Sequence, residues 1–281
     1  MSTVGETYFA ALKDGKDKGV LSADLRLLIA HDMGYPEPID TLLHQHDEFT
    51  KNEQFEAEYK RLLNGEPVEY ILQEARFLDY KLYVDNRVLI PRMETAELVA
   101  NITENVDQYF DPRNYLVVAD IGTGSGCIAT ALRNAFPNWL ITASDVSEDA
   151  LEVAQKNFKS YAPSVKTLCG SGLEPYIEAN MALDIIVSNP PYILNRDEVQ
   201  ASVKDYEPES ALYLDEEDSV YEAIFRDLPK VKKGPMLLAF EIGYDLKDYL
   251  TKLMAKYLKD YTYDFKEDLN GLTRFLFVYC R

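Results

Sequence analysis

Two periodicities divide the chain. Up to about residue 65 the apolar positions recur at helical spacing: Leu25, Leu28, Ile29 and Met33 follow Ser22, which is expected to cap their helix, and EQFEAEYKRLL obeys the same rule. No strand is expected in this part. From about residue 94 short, nearly continuous apolar runs take over: YLVVADI (115–121), LITASDV (140–146), VKTLC (165–169), LDIIVSN (183–189) and MLLAFEI (236–242). They alternate with helical stretches near 126–135, 148–159 and 245–257. That alternation predicts an α/β fold with a mostly parallel sheet covered on both faces. YTYDFKEDL and TRFLFVYC, separated by Asn270 and Gly271, predict an antiparallel hairpin at the C-terminal end of the sheet. Between the two halves Gly65 and Pro67 interrupt the helical pattern. FLDYKLYV (77–84), a turn at Asp85–Arg87 and VLI (88–90) then predict a β-hairpin ended by Pro91. The expected organisation is a helical domain over 1–70, a hairpin linker over 71–92 and a larger α/β domain over 93–281.

Composition narrows the classes. The chain has 281 residues, no apolar run near the ~20 residues that span a bilayer, and an N-terminus, MSTVGETYFAALKDGKD, without the apolar core of a signal peptide. A cytoplasmic protein with no membrane partner is expected. Cys127, Cys169 and Cys280 are too few and too scattered for a disulfide framework or a zinc site, so all three are expected as buried thiols and no metal is expected. The formal net charge of −19 disfavours a partner built of phosphates, so no direct nucleic-acid contact is expected, although a local basic groove is compatible with an acidic whole. His31, His44 and His46 fall in the helical domain; His44 and His46 are two apart, a spacing that does not share a helix face, and all three are read as surface residues. The acidic run Asp215–Asp218 is read as a solvated loop.

Two constellations carry candidate chemistry. The first is DIGTGSG, Asp120–Gly126, directly after a strand. Glycines at 122, 124 and 126 allow positive φ and a close backbone approach to a ligand, with Thr123 and Ser125 between them. Asp145 ends the next strand, where a carboxylate can accept both hydroxyls of a ribose. Asp120 either faces a ligand or is a strand-end carboxylate satisfied by nearby amides. The spacing G-x-G-x-G departs from the G-x-G-x-x-G of dinucleotide sites and resembles the S-adenosylmethionine (SAM) loop of Rossmann-like methyltransferases.

The second constellation is SNPPYIL, Ser188–Leu194, at the end of the LDIIV strand. Two prolines hold Asn189, Pro190 and Pro191 stiff. The Asn189 side-chain oxygen and the Pro190 carbonyl could accept the two hydrogens of a planar NH2 group, with Tyr192 as an apolar wall. A delocalised amide or base amine is a poor nucleophile, so fixed positioning is what such a site must supply. The plainer alternative is a strand-ending turn.

With both constellations in place, the sequence resembles the PrmC/HemK family of peptide chain release factor N5-glutamine methyltransferases along essentially its whole length. The matching pieces are GEPVEYI (65–71), VLIPRMETAELV (88–99), DIGTGSGCIA (120–129), SDVSEDAL (144–151), VSNPPYI (187–193), YEPESAL (206–212) and FEIGY (240–244). The resemblance implies a Rossmann-like SAM-dependent methyltransferase domain behind a small helical domain that helps dock a release factor. Gly122–Gly126, Asp145 and Asn189 would then bind SAM, Asn189–Tyr192 would hold the glutamine, and Asn189, Pro190 and Tyr192 would be the catalytic group. The oligomeric expectation is a monomer. Arg92 and Glu94 fall in a matched segment but also suit simple helix capping. The sequence departs from the family pattern at Gln73, where glycine is usual, at Met93, where proline is usual, and at Gly172, where Ser171 is usually followed by aspartate, which bears on adenine contacts near Leu173. LDEEDS (214–219) stands in place of a glycine-containing loop. NPPY alone also fits a DNA or RNA exocyclic-amine methyltransferase that flips its base out, and the altered GSGL segment is compatible with a module that binds SAM without turnover.

Overall fold

Residues 2–111, 114–215 and 219–280 are described by the computed structural model. The chain forms two compact units, residues 1–74 with 199–206, and residues 75–198 with 207–281.

The first unit is helical. Strand β1 (Ser2–Thr3) leads into α1 (Val4–Gly15), followed by α2 (Ser22–Met33), α3 (Asp40–Leu43), strand β2 (Glu48–Phe49), α4 (Glu53–Leu63) and α5 (Val68–Leu72). Helix α1 starts with a capping box: the Glu6 N–H donates to Thr3 Oγ1 at 3.2 Å and the Thr3 N–H donates back to Glu6 Oε2 at 2.9 Å. Val4, Leu25, Leu28, Ile29, Phe49 and Phe55 make its core. Two expectations are corrected here. Ser22 does not cap α2, whose N-cap is Leu21 without a side-chain bond; the Ser22 hydroxyl pairs instead with the Tyr8 hydroxyl at 2.7 Å. The unit also contains a short antiparallel pair, β1 with β2, too brief for any periodicity to register.

The second unit opens with the hairpin β3 (Ala75–Phe77) and β4 (Tyr80–Leu82). Its turn lies at Leu78 and Asp79, upstream of the expected position at Asp85–Arg87. Leu78 takes φ 51° where glycine or asparagine is the usual turn signal, which is why the sequence does not announce it. Val88–Ile90 is not a strand. Then come α6 (Met93–Asn105), β5 (Val117–Ile121), α7 (Cys127–Ala135), β6 (Leu140–Asp145), α8 (Glu148–Tyr161), β7 (Lys166–Cys169), α9 (Glu174–Glu178) and β8 (Leu183–Ser188). After α10 (Ala201–Tyr206), which groups with the helical unit, the chain continues through α11 (Val220–Val231), β9 (Lys232–Glu241), α12 (Lys247–Tyr257), β10 (Thr262–Glu267) and β11 (Thr273–Cys280). Residues 216–218 of the expected acidic loop lie outside the described residues.

The strands form one seven-stranded sheet in the order β10-β11-β9-β8-β5-β6-β7, parallel from β9 through β7, with β11 antiparallel to both β9 and β10. Alternation along each strand feeds two cores. Ile185, Val187 and Ala239 pack with α6, α7 and α8 on one face, while Ile186, Leu238 and Phe240 pack with α11 and α12 on the other. Cys127 and Cys280 are buried, but Cys169 is exposed, because β7 is an edge strand and its last residue leaves the core.

Candidate active site

Strand β5 lies between β6 and β8, and the register makes all three end level: Ile121 is opposite Ser144 on one side and Ser188 on the other. The chain therefore leaves the sheet at neighbouring points, at Gly122, just after Asp145, and at Asn189. In an open α/β sheet the crevice opens at this place, where the strand order reverses. The Ser188 hydroxyl donates to the Ile121 carbonyl at 2.6 Å and ties two of these ends together. A cleft of about 310 Å³ opens above them, with Gly122–Ser125, Asp145–Ser147, Gly170–Gly172 and Asn189–Pro191 on its walls.

The glycine loop is held by its own backbone and by one buried asparagine. Gly122 and Gly124 sit at φ 68° and 53°, and a Cβ on either would meet no atom within 4 Å, so both faces are open to a ligand. Gly126 does something else. At φ 81° it starts α7, does not line the cleft, and a Cβ there would come within 2.6 Å of Phe158, so its role is close packing against α8. Asn157 donates to the carbonyls of Ser125 and Tyr83, at 2.8 and 2.9 Å, clasping the loop to the segment after the hairpin. Asp145 accepts the Gly124 N–H at 3.0 Å and the Ser147 N–H at 3.0 Å; burial pushes its carboxyl up, against the pull of these amides. Asp120 is wholly buried below the cleft. One oxygen accepts from Thr123 at 2.6 Å and from the Ala129 N–H at 3.1 Å, the other has no partner among the described residues, and burial pushes the carboxyl up to about 7.

On the other wall Asn189 uses its amide N–H to bond Thr95 Oγ1 at 3.2 Å, and its side-chain oxygen is left without a protein partner among the described residues. Pro190 and Pro191 line the cleft. Tyr192 does not: its ring joins the core beneath, and its hydroxyl donates to Glu241 Oε1 at 3.1 Å. At the position expected for Tyr192 the apolar lining is formed by the two prolines. Glu241, fully buried at the end of β9, also accepts the Thr95 hydroxyl at 2.7 Å. Gly243 follows closely, and a Cβ there would sit 3.1 Å from the Tyr192 carbonyl.

Several lining residues were not singled out by spacing. Arg87–Leu89, Pro91 and Thr95 form part of the cleft, as do Pro208, Ser210 and Ala211. Arg92 is the N-cap of α6 and forms an ion pair with the buried Glu207, which also accepts the Ile90 N–H at 3.3 Å. That bond ties the segment before α6 to the one after α10, and Arg92 itself stays off the cleft wall. Met93 is 75% exposed. Ser171 and Gly172 reach the cleft, whereas Leu173 is buried in the core below it.

Comparison with known proteins agrees with this geometry. Residues 98–221 match the methyltransferase small domain family. The release factor glutamine methyltransferase of Enterococcus faecalis is 34% identical over 83% of this chain and 83% of its own length, and that of Streptococcus pneumoniae is 38% identical over 78% and 77%. The chain belongs to the release factor glutamine methyltransferase family. Among solved structures, the hMettl16 catalytic domain in complex with a MAT2A 3'UTR hairpin superposes with a TM-score of 0.52 over 85% of this chain and 83% of that one, at 15% identity, a likeness of fold. The protein is accordingly an S-adenosylmethionine-dependent enzyme with a Rossmann-like methyltransferase fold. The cleft fits that donor: two glycines present open backbone at the end of β5, and a carboxylate stands at the end of β6 where a ribose would lie.

Proposed function

We propose that the protein transfers the methyl group of SAM to the side-chain amide nitrogen (N5) of the glutamine in the Gly-Gly-Gln motif of peptide chain release factors. The observation that carries this reading is the placement of Asn189. It leaves β8 beside the glycine loop, its N–H is turned back onto Thr95, and its oxygen stays free for an incoming donor.

Gly122, Thr123, Gly124 and Ser125 would cradle the donor, with Asp145 accepting the ribose hydroxyls and Gly126 holding the loop against α8. When bound, SAM supplies an electrophilic methyl carbon on a sulfonium. The glutamine amide is planar and weakly nucleophilic. Acceptance of its two hydrogens by Asn189 Oδ1 and the Pro190 carbonyl fixes the plane of the NH2 group and favours electron density on nitrogen as the new bond forms. Neither acceptor is a base, and none is needed at this point, because the nitrogen sheds its proton to solvent after the methyl arrives. Rigidity of the Asn-Pro-Pro turn converts a diffusional encounter into a held geometry.

The helical domain over 1–70 is assigned the docking of the release factor, with 71–92 joining it to the catalytic domain over 93–281. The protein is expected to act in the cytoplasm, as a monomer, on a protein partner and not on nucleic acid. The net charge of −19 weighs against a partner built of phosphates, and among the described residues no helix is long and apolar enough to cross a membrane.

Incubation of the purified chain with methyl-labelled SAM and a release factor tests the proposal. Label is expected on the Gly-Gly-Gln glutamine. Label on nucleic acid, or no transfer to the release factor by a chain that still binds SAM, would overturn it.

A further inference from the structure

Behind Asn189 lies a polar chain that the grip on the substrate does not itself explain. The Asn189 amide N–H donates to Thr95 Oγ1, the Thr95 hydroxyl donates to Glu241 Oε2, and the Tyr192 hydroxyl donates to Glu241 Oε1, at 3.2, 2.7 and 3.1 Å. Thr95 is 2% exposed and Glu241 not at all, so the bond between them is shielded from solvent.

The chemistry of the three groups gives the chain a direction. An ionised carboxylate only accepts hydrogen bonds. Thr95 has a single hydroxyl hydrogen, and Glu241 takes it. Toward Asn189 the Thr95 oxygen can then only accept. An asparagine amide has a donor end and an acceptor end of nearly equal size, and either could face Thr95 on steric grounds. The committed hydroxyl removes that freedom, since a carbonyl turned toward it would set lone pair against lone pair. The NH2 end is therefore held inward and the oxygen is presented outward, which is the end a substrate NH2 requires and a substrate carboxylate is repelled by.

We propose that Glu241 is a positioning residue that, through Thr95, fixes the amide orientation of Asn189 and so makes the site select glutamine over glutamate. This rests on the glutamine reading above. The role is distinct from fold support, because it depends on the direction of a hydrogen bond and not on the volume filled.

The test uses the full chain at pH 8, with a release factor carrying Gly-Gly-Gln or Gly-Gly-Glu, and compares Thr95→Val, which keeps the shape without the hydroxyl, with Thr95→Ser, which keeps the hydroxyl. Thr95→Val is expected to lower kcat by about tenfold or more while SAM affinity stays within about twofold, the scale of one misdirected buried polar contact. The preference in binding for the Gln over the Glu release factor should shrink by about fivefold or more, and Thr95→Ser should restore most of both. Glu241→Gln, which can donate to Thr95 and reverse the chain, should show the same pair of losses, and it decides the matter if Thr95→Val fails to bind SAM. The inference is overturned if both variants keep the wild-type Gln-to-Glu preference, or if Thr95→Ser falls as far as Thr95→Val. A wild-type chain that does not methylate the release factor at all would instead sink the glutamine reading, a result separable from either of these.

Discussion

The two walls of the cleft are built by opposite means. The wall proposed for the cofactor is the nearer in sequence: Gly122–Ser125 follow one strand without interruption, Asp145 ends the adjacent strand, and its carboxylate accepts the Gly124 N–H at 3.0 Å. The wall proposed for the acceptor is assembled from afar, because Asn189 bonds Thr95 on α6, which bonds Glu241 on β9, with Arg274 of β11 beside Tyr192. A wall of backbone and glycine needs only the right conformations. A wall of directed side-chain bonds needs the whole sheet in register. The comparison predicts that lesions on the two sides separate binding of the donor from its use.

The largest separation is expected at Asn189. Asn189→Ala removes the acceptor that no backbone group replaces, and turnover should fall by on the order of a hundredfold or more, the scale of losing one preorganised polar contact at a reacting group. SAM affinity should hardly change. Single-turnover methyl transfer alongside calorimetric SAM binding reads both, and a large loss of affinity with turnover intact would assign Asn189 to the other wall. Asp145→Ala is the converse. Its carboxylate accepts the Gly124 amide as well as facing the cleft, so SAM affinity should drop about ten- to a hundredfold, while turnover at saturating SAM should drop far less. Equal effects of both substitutions on both quantities would erase the distinction between the walls.

A smaller effect should come from pH. Burial pushes the Glu241 carboxyl up to about 7, opposed by the hydrogen bonds from Thr95 and Tyr192 and by Arg274, and reinforced by Glu94; the Tyr221 hydroxyl reaches its backbone carbonyl. As pH falls through that value the carboxyl gains a proton and can donate to Thr95, so the direction that holds Asn189 is lost. Turnover should therefore decline several-fold on the acid side of about 7, and Glu241→Gln should flatten that limb. Burial pushes the Asp120 carboxyl, which lies beneath the glycine loop, up to about 7 as well, so any part of the limb that survives in Glu241→Gln as a change in SAM affinity is assigned to Asp120.

The same contrast decides what could be read from the sequence. The parallel strands, the terminal hairpin and the glycine loop are legible because each is written in consecutive residues: an apolar run, a turn dipeptide, a repeated glycine. No helical stretch is anticipated over α11, which carries Pro229 in its last turn. Thr95 and Glu241 both lie in segments that match the family, yet nothing in their spacing, 146 residues apart, says that they share a proton. Tyr192 and Gly126 show the reverse. Their place in a motif suggests direct contact with ligand, whereas the fold turns one toward a buried carboxylate and presses the other against Phe158.

Gln73 offers the smallest effect and a control that lines neither wall. It ends α5 in the left-handed region at φ 53°, is exposed, and its N–H bonds the Glu69 carbonyl as a helix-ending residue does. The resembled family usually has glycine there, and the geometry gives the reason: a Cβ in this region costs about 1–2 kcal/mol. Gln73→Gly relieves that strain but adds freedom to the unfolded chain, worth about 0.5–1 kcal/mol in the other direction. The net expectation is a gain of ~0.5–1 kcal/mol in unfolding free energy, read from the urea midpoint at constant slope. SAM affinity and turnover should be unchanged. A loss of stability would mean that the Gln73 side chain contributes contacts outweighing its backbone strain, and a change in turnover would show that the end of α5 influences the cleft.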